Sequence, residues 1–284
     1  MSAHENSGQP AATATYTTLL LSTLALSVIA EVLWMGHISR PPTTIYHLWH
    51  IALMLVVLGV RLAYQKHLAP RVARYTRLLI AGMVFCTAGD VINSAISGVE
   101  PITRKLFFAI FLFGAGYSFY VFALYHFALP VLRERGGIGY RLRWVVVAVT
   151  ALANMAGWTS YVRPGVAGNR FLEVGSFIFN LTIYSLLIGL CVWYFWGRRL
   201  SLPALPVMVG GALLPISDLY LFHTWLAPDQ NPAVPVFEFY AANWILYFGG
   251  QVLFALLPAC ENASAQVAAP AYGPAGIRED GAVQ

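Results

Sequence analysis

Eight apolar runs, each long enough to cross a lipid bilayer, dominate the sequence and leave few folds open to it. A transmembrane α-helix needs roughly 20 mostly apolar residues, whereas a strand of a membrane barrel needs only about ten. Only 10% of the 284 residues are charged and 58% are hydrophobic, against about 25% charged residues in a soluble domain. We therefore expect an all-α membrane protein with eight transmembrane helices. The runs are at about residues 17–36, 46–64, 78–98, 106–130, 142–160, 171–196, 204–226 and 236–258.

The two ends of the chain differ from this apolar region. Residues 1–16 are small and polar without a basic start, so they do not resemble a cleavable signal, and we expect them to be disordered. Residues 259–284 are rich in Ala, Pro and Gly, which predicts a disordered C-terminal tail. The expected organisation is one transmembrane domain, residues 17–258, between two disordered ends.

Basic residues predict the orientation of the helices. Most Lys and Arg residues fall in one set of alternate connections, which includes Arg61, Lys66 and Arg133. The positive-inside rule places that set, and with it both termini, in the cytoplasm. Basic loops beside anionic lipid also account for the net charge of +5, so we expect the bilayer as a partner and no nucleic acid. Arg greatly outnumbers Lys, which suggests a bacterial source and thus the inner (cytoplasmic) membrane.

Two aspartates interrupt apolar runs, in "MVFCTAGDVIN" (Asp90) and "LLPISDLYLF" (Asp218). Asp at the centre of a bilayer costs about 2.5–3.5 kcal/mol on insertion scales, so such residues usually serve a function and face the bundle interior. The third and seventh spans run in the same direction, and each aspartate lies roughly 20 Å from its predicted helix start at a rise of about 1.5 Å per residue. Two carboxyl groups at one depth are therefore expected to meet.

Neighbouring carboxyl groups in a medium of low dielectric constant do not ionise together, so one can hold a proton while the other accepts one. General acid–base hydrolysis needs this division of labour. The alternative is that both are neutral and only join helices through hydrogen bonds. The similar positions of "AGDVIN" and "ISDLYL" in the third and seventh spans also suggest two parallel four-helix halves.

Three short motifs carry a resemblance to a known family. They are "AGD" at Ala88–Asp90, "GGALLPISD" at Gly210–Asp218 and "YFGGQ" at Tyr247–Gln251. Together they resemble the lysoplasmalogenase-like family of eight-span membrane proteins, over about residues 75 to 258. That family also carries Phe-x-x-x-His-x-x-Tyr, which corresponds here to Phe113, Tyr117 and Tyr120. Tyr117 thus replaces the family histidine.

The resemblance implies hydrolysis of the vinyl-ether bond of a lysoplasmalogen, a lysophospholipid, to a fatty aldehyde and a glycerophospho-alcohol. Asp90 and Asp218 are the expected acid–base pair, with neither role assigned. The remaining candidate residues are polar groups on the same spans, which either bind substrate and orient water or make hydrogen bonds between helices. They are Asn93, Tyr117, Tyr120, Asn180, Ser217, Tyr247 and Gln251. Glu31, Glu173 and Glu238 lie near the outer ends of their spans, where they either line an entrance or reach the interface.

Two alternatives remain open. A zinc hydrolase would use His47 and His50, which are three residues apart, but no His-x-x-x-His or HExxH pattern accompanies them. We therefore expect no metal, and nothing in the sequence indicates another cofactor. A proton-coupled transporter or lipid-binding protein would use the aspartates as a relay, with Pro215 and the glycine-rich segments "FGAG" and "FGG" marking bent helices. The sequence carries no indication of oligomeric state.

Overall fold

The computed structural model describes residues 9–68, 70–99, 102–134, 138–198, 201–226 and 236–259. Within them lie eight helices that are long and apolar enough to cross a membrane, as predicted, and no strand. The α-helices are α1 (Gln9–Met35), α2 (Thr43–Tyr64), α3 (Pro70–Asn93), α4 (Ile102–Glu134), α5 (Ile138–Gly157), α6 (Arg163–Val166), α7 (Arg170–Ile178), α8 (Ser185–Gly197), α9 (Leu205–Leu226) and α10 (Val236–Ala255). Two of the eight spans each consist of two α-helices joined by a π-helical segment. Trp158–Val162 joins α5 to α6, and Phe179–Tyr184 joins α7 to α8.

The first helix begins earlier than the apolar run predicts. Its start at Gln9 includes part of the segment expected to be disordered, because that part packs against other helices. The Tyr16 ring stacks on the Tyr64 ring at 4.1 Å, and the Tyr16 hydroxyl donates a hydrogen bond of 2.5 Å to the carbonyl of Ala255. Residues 1–8 and 260–284 lie outside the described residues.

Glycines bring two helix pairs into close contact. A Cβ atom on Gly82 of α3 would lie 2.6 Å from the carbonyl oxygen of Gly116 on α4. A Cβ atom on Gly210 of α9 would lie 2.9 Å from the carbonyl oxygen of Gly250 on α10. Close backbone approach through small residues is how helices associate in a bilayer, where water provides no driving force. These glycines therefore serve helix packing.

The same spacing relates each glycine pair to an aspartate. Asp90 lies eight residues after Gly82, and Asp218 lies eight residues after Gly210. Phe113 and Tyr247 each precede the second glycine by three residues, and their rings meet edge to face at 5.9 Å. These correspondences favour the predicted repeat of two parallel four-helix halves.

The third span ends sooner than predicted, at Asn93 and not at residue 98. The Ser94 hydroxyl donates to the carbonyl of Val91 at 2.6 Å, and the Ser97 hydroxyl donates to the carbonyl of Ile92 at 2.7 Å. Serine side chains thus donate to carbonyls in the last turn of the helix, where the regular helical bonds end. As a result Asp90 lies in the last turn of α3 and not near the middle of its span.

Arg61 is not a loop cation, although it was counted with the basic residues of the connections because it lies near the end of the second apolar run. Its side chain is completely buried, and its Nη1 lies 3.3 Å from the sulfur of Met83. The Nε and Nη2 atoms make no hydrogen bond among the described residues. When Arg61 is not counted, most Lys and Arg residues of the connections still lie on the predicted cytoplasmic side. We call the side where α1 and α3 end and α2, α4 and α10 begin the outer face, after the predicted orientation.

Candidate active site

A cavity of about 90 Å³ lies toward the outer face, where the ends of α3 and α9 meet the starts of α2, α4 and α10. Both aspartates, Asp90 and Asp218, line it. The helices that carry them are distant in sequence, so only the packed bundle brings the two carboxyl groups together. The two groups also interact electrostatically. The predicted meeting of the two aspartates is therefore present in the fold.

Asp90 accepts a hydrogen bond from Tyr247 on α10. The Tyr247 hydroxyl lies 3.0 Å from Asp90 Oδ2, and Tyr247 itself lines the cavity. The Phe113 ring packs closely against this turn of α3. A Cβ atom on Gly89 would lie only 2.7 Å from the ring. The glycine of the "AGD" motif therefore lets an aromatic ring support the backbone next to Asp90.

Asp218 lies deeper, with only 7% of its surface exposed. Its Oδ2 accepts a hydrogen bond of 2.5 Å from the hydroxyl of Tyr184. The Tyr117 hydroxyl is also buried and interacts electrostatically with Asp218, although it makes no hydrogen bond among the described residues. The residue that replaces the family histidine therefore lies beside one of the aspartates.

Tyr184 was not predicted, because its place in the site depends on an irregular helix. It ends the π-helical segment Phe179–Tyr184, whose wider turn rotates the following side chains relative to a continuous α-helix. Such turns are often found at functional sites. Sequence periodicity does not identify a π-helical turn, so the only available signal was a tyrosine within an apolar span.

Tyr120 and Gln251 contact each other and not the cavity. The Tyr120 hydroxyl donates a hydrogen bond of 2.5 Å to Gln251 Oε1, and both residues are completely buried. Gln251 Nε2 makes no hydrogen bond among the described residues. This pair joins α4 to α10 one layer below the aspartates, which is the structural alternative considered for these residues.

The other three predicted residues differ in position. Asn93 lines the cavity, and its Oδ1 has no hydrogen-bond partner among the described residues. Ser217 is buried and donates to the carbonyl of Leu214 at 2.8 Å, within its own helix. Asn180 donates to the carbonyl of Ser176 at 2.9 Å. Asn93 therefore belongs to the cavity, whereas Ser217 and Asn180 do not line it.

Glu31 is completely buried, so it neither forms an open entrance nor reaches the interface. Its Oε2 accepts a hydrogen bond of 3.0 Å from the Tyr46 hydroxyl, and its Oε1 lies 2.8 Å from Nε2 of His50. Tyr46 and His50 both line the cavity. The other two glutamates form ion pairs at the surface, Glu173 with Arg163 and Glu238 with Arg40.

No group of three or more His, Cys, Asp and Glu side chains is arranged to hold a metal ion within the part of the chain that the structure describes. His47 and His50 both line the cavity, but His50 is bound to Glu31 through Nε2. The described residues thus place no third His, Cys, Asp or Glu side chain with these two histidines in an arrangement that could hold a metal ion.

A sequence profile of the YhhN family matches residues 45–257, which include both aspartates and every side chain that lines the cavity. The chain belongs to the YhhN family. The YhhN family includes lysoplasmalogenase, in agreement with the resemblance seen in the sequence motifs. No curated protein and no solved structure is significantly similar to the chain. As a YhhN protein the chain is a lysoplasmalogenase-like membrane protein.

Proposed function

We propose that this YhhN protein hydrolyses the vinyl-ether bond of a lysoplasmalogen, with Asp90 and Asp218 as general acid and base. The observation that carries the proposal is that both carboxyl groups line one small cavity in the bundle. Family membership supports the substrate class, because lysoplasmalogenase is a YhhN protein. Asp218 is also largely shielded from bulk water, which strengthens its interaction with charge that develops on a substrate.

The reaction needs two proton transfers to the substrate and two from it. The protonated carboxyl group gives its proton to the vinyl carbon that does not bear oxygen, which leaves an oxocarbenium ion. The ionised carboxyl group stabilises this cation and takes a proton from the water that attacks it. The resulting hemiacetal then breaks its bond to the glycerol oxygen. In that step the second carboxyl group returns its proton to the glycerol oxygen, and the first recovers a proton from the hemiacetal hydroxyl.

The tyrosines support an assignment of the two roles. Hydroxyl donors stabilise the ionised form of a carboxyl group. Asp218 accepts the shorter hydrogen bond, from Tyr184, and also has the Tyr117 hydroxyl beside it. Asp90 accepts one longer hydrogen bond, from Tyr247. We therefore assign Asp218 as the ionised base and Asp90 as the protonated acid.

The test is aldehyde release by the purified protein in detergent, with three lysolipids that differ only in the bond at the first glycerol carbon. We expect turnover of the vinyl ether and none of the alkyl ether, because an alkyl ether does not form an oxocarbenium ion on protonation. Ester hydrolysis would release a fatty acid and no aldehyde. A transporter would show no turnover in detergent, so absence of aldehyde would support the relay alternative and contradict our proposal.

Reaction in D₂O examines the mechanism separately from the activity. Transfer of a proton from Asp90 to carbon places one deuterium on the carbon next to the aldehyde group, which mass spectrometry detects. Aldehyde without deuterium at that carbon would exclude protonation of carbon. We also expect full turnover after treatment with a chelator, whereas inhibition reversed by added metal would favour the zinc mechanism.

Replacing Tyr184 by Phe is expected to lower kcat/KM for the vinyl-ether substrate by about 10- to 150-fold, since a hydrogen bond to a charged group contributes about 1.5–3 kcal/mol. The affected bond is the one donated to Asp218 Oδ2. Tyr75→Phe is the matched control, because the Tyr75 hydroxyl is buried without a hydrogen-bond partner among the described residues. Equal activity of the two variants would show that the Tyr184 hydroxyl does not support Asp218.

A further inference from the structure

A second group of ionisable side chains, Glu31, Tyr46 and His50, forms one wall of the cavity. The acid–base reaction of the two aspartates does not use it. Glu31 is completely buried, and burial of a carboxylate in an apolar bundle is costly unless its oxygens are hydrogen-bonded. Here each oxygen has a partner, the Tyr46 hydroxyl at 3.0 Å and His50 Nε2 at 2.8 Å.

The His50 ring is held from three sides. It stacks on Trp244 with a centroid distance of 3.8 Å and an interplanar angle of 7°, and the Tyr46 ring meets it at 4.2 Å and 64°. Trp244 is itself fixed by a hydrogen bond of 3.0 Å from its Nε1 to the Ser27 hydroxyl. The imidazole therefore has one orientation, set by contacts from α1, α2 and α10.

This orientation decides which nitrogen faces the substrate. When Glu31 is ionised, its Oε1 accepts the hydrogen of Nε2, and Nδ1 is left with a lone pair. Nδ1 makes no hydrogen bond among the described residues, and the ring lines the cavity. In that state the wall presents a hydrogen-bond acceptor of fixed direction to the occupant of the cavity, and the occupant has to supply a donor.

A lysoplasmalogen carries such a donor next to the reacting bond. Its middle glycerol carbon bears a free hydroxyl group and is bonded to the carbon that carries the vinyl-ether oxygen. We propose that His50, oriented by an ionised Glu31, accepts a hydrogen bond from this hydroxyl and thereby selects lysolipids, an inference that rests on the proposed vinyl-ether hydrolysis. A lipid with a second acyl chain lacks the donor.

A purely structural role for Glu31 and His50 would have a different consequence. The group joins α1 to α2, and its loss would disturb the cavity for every substrate alike. Recognition of a hydroxyl, in contrast, concerns only substrates that have one. Sites built to bind a hydroxyl group reject an analogue without it by about 10⁴- to 10⁵-fold in favourable cases. Comparison of two substrates therefore separates the two roles.

The experiment measures kcat/KM of the purified full chain for a vinyl-ether lysophosphocholine and for the same lipid with hydrogen in place of the free hydroxyl. We expect the wild-type protein to prefer the hydroxyl substrate by about 100-fold or more. His50→Phe should reduce this preference to below about tenfold, through loss of activity on the hydroxyl substrate alone. Glu31→Gln, which keeps the shape of the side chain, should reduce the preference in the same direction. His126→Phe, at an exposed position on α4, serves as the control.

Three results would overturn the inference. The first is a ratio of kcat/KM for the two lipids close to 1 in the wild-type protein. This measurement needs no variant, so it does not depend on whether His50→Phe folds. Another is an equal loss of activity on both substrates in His50→Phe, which is the structural outcome. The third, no aldehyde from either lipid with the wild-type protein, would overturn the proposed function together with this inference, and it is distinguishable from the first two by the absence of all turnover.

Discussion

Replacing either Asp90 or Asp218 by Asn is expected to lower turnover of a lysoplasmalogen by about 10²- to 10⁴-fold, the usual contribution of a general acid or base. Asparagine keeps the size and hydrogen-bonding capacity of the side chain but neither gives nor takes a proton. Both carboxyl groups line the same cavity and interact electrostatically, so the reaction should need both. The measurement is aldehyde release by purified variants, each compared with the wild type by thermal unfolding to establish that it is folded.

Two further variants make this test specific. Glu173→Gln changes a carboxyl group to an amide at the surface, where the residue pairs with Arg163 at 3.4 Å, and should leave turnover unchanged. The double variant of both aspartates should be no less active than either single variant, because residues that act as a unit do not contribute additively. A folded single variant with the turnover of the wild type would show that its carboxyl group is dispensable.

Gly82→Ala is expected to destabilise the protein by about 1–3 kcal/mol or more, the range for overpacking of a close-packed interior. The new Cβ atom would lie 2.5 Å from the Tyr120 ring and 2.6 Å from the carbonyl oxygen of Gly116. A side chain can move aside, but the backbone of α4 can do so only if the two helices separate. Because α3 carries Asp90, separation should also lower turnover. Thermal unfolding in detergent measures the first effect.

The same substitution elsewhere provides the control. A Cβ atom on Gly59 of α2 would have no atom of another helix within 4 Å among the described residues. Gly59→Ala should therefore leave stability unchanged or raise it by up to about 1 kcal/mol, since Ala favours a helix more than Gly does. Equal unfolding temperatures for Gly82→Ala and Gly59→Ala would contradict the close contact of α3 and α4.

Buried Arg61 shows that polar groups in the bundle interior are not confined to the cavity. A guanidinium group without a carboxylate partner is costly in a region of low dielectric constant, yet the side chain is completely buried near Tyr75 and Tyr120. Tyr120 in turn donates to Gln251. The polar interior of the bundle therefore extends beyond the cavity, from the aspartates toward the face opposite the outer face.

The candidate site could be predicted from the sequence only in part. Asp90 and Asp218 stood out because charge in an apolar span is costly, and this cost can be read from composition alone. Tyr247 was found through its motif. Ser217 and Asn180 were expected to assist the aspartates, but their short polar side chains bond to carbonyls of their own helices. Any helix offers such carbonyls, so residue type does not tell whether a serine or asparagine faces a site.

Tyr184, Glu31 and His50 were missed as members of the site for a different reason. Tyr184 reaches Asp218 from the end of a π-helical turn, which no hydropathy pattern reveals. Glu31 lies near a span end, where a glutamate usually reaches the interface, and it is buried here because Tyr46 and His50 provide both of its hydrogen bonds. These interactions form only once helices from different parts of the chain are packed together.

Apolar run length was enough to establish the helical class and the eight spans. A bilayer offers backbone groups no hydrogen-bond partner, so a spanning run of this length has to pair its own backbone groups in a helix. The cost of burying charge likewise identified the two aspartates. Which side chains surround them depended on how the helices pack, through the glycine contacts of α3 with α4 and of α9 with α10. Hydropathy acts residue by residue along the chain, whereas a cavity is a property of surfaces that meet from distant segments, and that meeting orients the side chains of the candidate site.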